Sequence, residues 1–186
     1  MHADDERKGK LPSRASDAAR LDRRPLGCEP VAGGTPAEGE ESVAATLHEL
    51  LGRQLLAVLA TQHQGAPYGN LVAFWASDDL TRLVFATTRA TRKFANLLAE
   101  PRVALVIDSR SNRLTDFHDA IAVTATGTCH EALDTERESL AALYLGKHPQ
   151  LTDFVASPTC ALVTVEVDTY YLVSRFQHVV ELHLKT

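Results

Sequence analysis

The stretch LVFATTRATRKFANLLAEPRVALVI, residues 83–107, decides the reading of this chain. It opens on an apolar run rich in β-branched and aromatic residues, RLVFAT at 82–87, and closes on another, RVALVI at 102–107, each of strand length. Between them Thr91 is placed to cap a short helix. Phe94, Leu97 and Leu98 recur at helical spacing, and Pro101 marks the stop. A strand, a polar corner, one short helix and a second strand follow in order. At the corner Thr87, Thr88, Arg89, Thr91, Arg92 and Lys93 gather at the first turn of the helix, where unpaired N–H groups and the helix dipole already favour an anion. Hydroxyls, a guanidinium fork and an ammonium in one place suit a phosphate; the competing reading is a solvated basic face.

Working outward, LLAVLAT (55–61) and NLVAFWA (70–76) read as two further strands. QHQGAPYG separates the first from the second and SDDLT separates the second from the 82–87 run, so short hairpins should join the three as an antiparallel meander. Downstream, Ile121, Val123, Ala125 and Cys129 alternate with Thr124, Thr126, Thr128 and His130, with Gly127 marking a bulge or a close backbone approach. Residues 135–145 predict a helix opened by a Thr135/Glu138 capping box, with Leu140, Leu143 and Tyr144 on one face. A second helical piece is expected around 151–155, then a long strand at 160–171 and a shorter one at 179–184. The fold class is mainly β: a barrel of six or seven mostly antiparallel strands with short peripheral helices.

With 186 residues the chain suits one domain. Residues 1–41 carry sixteen charges, half of the prolines and half of the glycines but none of the aromatics, so they read as a flexible tail ahead of a domain at 42–186. A helix should open that domain, capped by Ser42 and ended by Gly52, with Val43, Leu47, Leu50 and Leu51 facing inward. A formal charge of −5 offers nucleic acid no overall attraction, and no apolar run has the length of a membrane span. The N-terminus lacks the pattern of a secretory or transit signal, which makes the cytoplasm the expected location. Cys28, Cys129 and Cys160 form no CxxC pair. Cys129 and His130 point to opposite faces of a strand, so no metal site is expected.

From about Leu50 to Leu133 the chain resembles the pyridoxamine 5′-phosphate oxidase-like superfamily of flavin mononucleotide (FMN) binding split barrels. LLAVLATQHQGAPYGNLVAFW, LVFATTRATRKFANLLAEPRVALVI and AVTATGTCHEAL carry the likeness. The resemblance implies a homodimer with the cofactor in a cleft at its interface. Arg92 and Lys93, with Thr88 and Thr91 beside them, would hold the FMN phosphate. Ala86 and Thr87 would meet the ribityl and phosphate region, and Asn70, Leu71, Val72 and Ala73 would line the isoalloxazine ring. Against the genuine oxidase stand the missing Arg-x-His ending, Ala122 in place of a glutamine and Trp75 in place of a lysine, so pyridoxamine phosphate oxidation is not expected. The resemblance thus implies a flavin-dependent oxidoreductase acting on an unspecified small molecule, with no acid or base singled out. Two alternatives remain: a haem-binding or haem-degrading relative using His118, His178 or His183, and a non-catalytic flavin carrier or sensor.

Overall fold

A computed structural model describes residues 36–174 and 178–184, with side chains described from Ser42 to Ser174 and from Val179 to Leu184. The expected tail lies outside these residues up to position 35. Helix α1 runs Pro36–Arg53, six residues ahead of the expected start. Ser42 lies inside it, its carbonyl accepting the Thr46 hydroxyl at 2.9 Å, and Gly52 is still helical. Ser42 therefore does not cap this helix, and Gly52 does not end it.

Strands β1 (Leu56–His63), β2 (Ala66–Ala76) and β3 (Arg82–Thr88) form the expected antiparallel meander. The first turn is a two-residue hairpin with both centres at positive φ, Gln64 at 51° and Gly65 at 80°, the twist that suits a tight connection. The second is tied by Asp79, whose carboxylate accepts the Ser77 hydroxyl at 2.6 Å and the Thr81 N–H at 3.0 Å. Those hydrogen bonds draw the Asp79 carboxyl down to about 2. Helix α2 (Arg92–Ala99) leads into β4 (Arg102–Asp108). A loop with a one-turn helix α3 (Asp116–Asp119), which the sequence reading did not foresee, precedes β5 (Ala122–Glu131). Helix α4 (Asp134–Lys147), a 3₁₀ turn and α5 (Thr152–Ala156) precede β6 (Cys160–Ser174) and β7 (His178–His183). The expected capping box at α4 is absent: the helix starts one residue early, and no side chain caps it.

The strand order is β3-β2-β1-β4-β5-β6-β7, and a further pairing of β3 with β6 closes the first six into an antiparallel barrel. Period-two alternation puts Leu59, Phe74, Phe85, Leu105, Val123 and Tyr170 inside, all fully buried. Each such Leu, Val or Phe contributes about 1.5–3 kcal/mol through burial. A second, smaller core lies outside the barrel, where Leu140, Tyr144 and Val155 of α4 and α5 cover Val84, Ala86, Cys160 and Leu162. Leu143 does not join it and stays exposed, as does Leu98 on α2, whose place on the buried face is taken by Asn96.

The register of β5 against β6 shifts between Thr126 and Gly127. A Cβ on Gly127 would stand 2.1 Å from the Glu166 carbonyl oxygen, so only glycine fits this approach of two backbones. Gly127→Ala is expected to destabilise the barrel by about 3 kcal/mol, read as a lowered urea midpoint at an unchanged slope.

Candidate functional site

The site begins with an interrupted ladder. β2 pairs with β3 only at Phe74–Phe85, Trp75–Val84 and Ala76–Leu83. Beyond these, β2 continues along β1 from Ala73 to Ala66, while β3 continues along β6 as far as Thr88. A gap opens between them, edged by residues 70–73 on one side and 86–88 on the other, and these are the two sets singled out from the sequence. The Phe74 N–H points toward β1, to the Leu55 carbonyl. By strand alternation, Leu71 and Ala73 turn their backbone groups toward the gap.

The side chains at the two edges differ in what they can offer. Leu71 stands in solvent, 62% exposed, whereas Val72 is buried in the barrel and its backbone groups face β1. Asn70 donates to the Leu59 carbonyl at 3.5 Å and leaves its buried Oδ1 without a partner among the described residues. Ala86 is buried beneath α4.

The corner after β3 is built on hydroxyls. Thr91 gives its proton to the Thr88 carbonyl at 2.9 Å and accepts the Phe94 N–H at 3.3 Å, capping α2 as expected. Its one proton being committed, Thr87 is the donor in the 3.2 Å contact between the two threonine hydroxyls. Arg92 is exposed and lies 5.1 Å over the Tyr68 ring, and Lys93 is half-buried. Burial alone draws the Lys93 ammonium below its ordinary range, with no carboxylate opposing the shift. Two cations thus stand at the N-terminus of a helix without an anionic partner among the described residues. Arg89 belongs elsewhere, contrary to the sequence reading: it pairs with Glu131 and donates to the carbonyls of Pro158 and Cys160.

Three supporting residues escaped the sequence reading. The Tyr144 hydroxyl reaches from α4 to the Ala73 carbonyl at 3.3 Å, at the point where the ladder stops. Burial raises its phenol to about 12, against a hydrogen bond from the Ala86 backbone. One turn on, His148 is fully buried with Nε2 2.8 Å from the Phe74 carbonyl. Asn96 of α2 donates to the Thr61 hydroxyl at 3.0 Å inside the barrel mouth. Only Asn96 left a signal, as an amide on the face that should be apolar. Of the histidines considered for iron, His183 has both ring nitrogens engaged, by Thr169 and Glu181 at 3.1 Å each, and His118 lies exposed on α3. The His178 side chain and Arg175 lie outside the described residues.

The sequence model of the pyridoxamine 5′-phosphate oxidase family matches residues 43–174, well over half of the chain. The chain belongs to this family. Sequence comparison with curated proteins returns no match. Solved structures share its split-barrel fold. General stress protein 26 of Bacillus anthracis aligns with a TM-score of 0.58 at 18% identity over 76% of this chain and 98% of its own. An FAD-binding protein of Mesorhizobium loti gives 0.57 at 16% identity over 69% and 90%. A haem-binding protein of Mycobacterium smegmatis gives 0.64 at 16% identity over 82% of this chain but only 60% of its own, so this chain spans well under two thirds of that relative.

For this pyridoxamine 5′-phosphate oxidase family member, Thr91→Ala should cost about 1 kcal/mol in urea unfolding through loss of the α2 cap, and Thr91→Ser should recover most of it.

Proposed function

We propose that this family member binds FMN in the gap between β2 and β3, as a homodimer in the cytoplasm, and works as a flavin-dependent oxidoreductase on a small molecule. One observation carries the reading: Arg92 and Lys93 lie at the start of α2 with no carboxylate among the described residues to neutralise them. A phosphate there would meet two charge-assisted donors and the first-turn N–H groups that the Thr91 cap does not use, so the donor set fits the 5′-phosphate of FMN.

In this arrangement Arg92 and Lys93 hold the phosphate, with Thr91 and Thr88 shaping the turn beneath it. Thr87 and Ala86 lie along the ribityl chain, where the buried Thr87 hydroxyl acts by holding Thr91 in place. Asn70, Leu71, Val72 and Ala73 border the ring, with the backbone groups of Leu71 and Ala73 facing the gap. FMN supplies the two-electron redox chemistry, while the protein supplies position, polarity and the exclusion of water. Tyr144 keeps its proton at neutral pH, consistent with a raised phenol, and continues to donate to Ala73. Leu56 and Leu71, more than half exposed, stand on one outer sheet face with Val58 and Val106, and a second copy covering that face would shield the ring from water.

Arg92→Ala combined with Lys93→Ala is expected to weaken FMN binding about a hundredfold or more, measured by quenching of flavin fluorescence, because two charge-assisted contacts are worth on the order of 3 kcal/mol. Unchanged affinity would remove the phosphate assignment. The purified protein should be yellow, with a band at ~450 nm, and should run as a dimer in light scattering; a Soret band instead would favour haem. No turnover with NADH, NADPH or any other donor would leave a carrier in place of an enzyme.

A further inference from the structure

Away from the phosphate corner, the end of α1, the β2–β3 turn and the last turn of α4 line a half-open pocket of about 330 Å³. Leu51, Leu80 and Leu143 form apolar walls, Trp75 forms another, and Lys147 enters from α4. The Lys147 ammonium donates to the Leu51 carbonyl at 2.7 Å and lies 4.2 Å from the centroid of the Phe74 ring. A carbonyl and a ring face are its partners; no carboxylate among the described residues is paired with it. Its state agrees with that geometry: burial alone lowers the amine to about 8, where a neighbouring anion would have held it up.

A half-buried cation lacking an anion, set in an apolar cavity with an aromatic wall, matches a ligand that has one negative head and a flat apolar body. Asp78 at the same cavity adds a negative charge that disfavours a dianion such as a phosphate monoester, or a second carboxylate. We propose that this cavity binds a small aromatic monocarboxylate, with its carboxylate against Lys147 Nζ and its ring beside Trp75 and the three leucines. The assignment is argued from Lys147 and its surroundings and does not rest on the FMN reading.

Trp75 is the only tryptophan in the chain, so intrinsic fluorescence reports on this cavity directly. Benzoate titrated into the full-length protein should change that fluorescence saturably, and benzamide, its neutral analogue, should bind about tenfold more weakly or worse. Affinity for benzoate should fall as pH rises through about 8 and Lys147 loses its proton. His48 and Asp78, the other titratable side chains at the cavity, should not carry that dependence, so His48→Gln and Asp78→Asn should retain it. Lys147→Met should lose at least about tenfold in benzoate affinity while keeping its circular dichroism. Gly146 offers a second variant, because a Cβ there meets nothing within 4 Å and a leucine can fill the cavity from α4. Gly146→Leu should fold at least as well as the parent and abolish the response. Equal responses to benzoate and benzamide, undiminished benzoate binding in either the Lys147→Met or the Gly146→Leu variant, or no saturable response in the parent would overturn the assignment.

Discussion

The shape of this molecule depends on β3 having two neighbours that cannot both be satisfied along its whole length. β6 pairs with all seven of its residues and closes the barrel, whereas β2 holds only three of them. A closed barrel needs tilted, staggered strands, and here the stagger leaves one seam unzipped. Phe74 and Phe85, opposite each other at the last paired position, are both fully buried and hold the seam shut on the barrel side. Beyond them the two backbones part. The chain then leaves β3 directly into α2, so a helix N-terminus with its cations stands beside the opening.

Charge follows the same division. Arg89 is one residue beyond β3 and is consumed by structure, bound to Glu131 and to two carbonyls of the segment entering β6. Arg92 and Lys93, only three and four residues on, find no carboxylate among the described residues. The turn at residues 89–91, with Thr91 extended ahead of α2, separates them from Arg89. Sequence proximity therefore says little about partnership here; the break between strand and helix decides which cations are used up and which remain available.

The alternation of side chains made the strands legible, because a barrel has one wet and one dry face and each strand records both. The cap at Thr91 and the close approach at Gly127 were legible for a related reason, each being a local geometric demand that few residue types meet, whereas the connection expected across residues 62–69 shrinks to Gln64–Gly65 because both strands run into it. The start of α1 was not, since the six residues before Ser42 are three glutamates with a proline, an alanine and a glycine, and carry none of the apolar periodicity that marks a packed helix. The capping box at Thr135 and Glu138 has the right spacing, yet the helix had already begun at Asp134. Leu98 and Leu143 fit a helical stripe but fall on its solvent edge. At the site, the residues on the two edges of the gap could be named in advance, whereas Tyr144 and His148 could not. Their roles depend on where α4 docks against β2, about seventy residues away in sequence, and a tyrosine on an amphipathic face looks the same whether or not its hydroxyl reaches a strand.

That Tyr144 hydroxyl occupies the place of a rung. Where the backbone ladder between β2 and β3 ends, a side chain from α4 carries the connection one step further. A rung made of main chain can be broken only by sliding or peeling a strand, which disturbs every neighbour in the register. A rung made of a phenol depends instead on the packing of α4, because Tyr144 is buried in the outer core and moves only with that helix. The width of the opening is thereby uncoupled from the integrity of the barrel: the sheet stays closed around its core while its mouth is set by a helix packed on the outside.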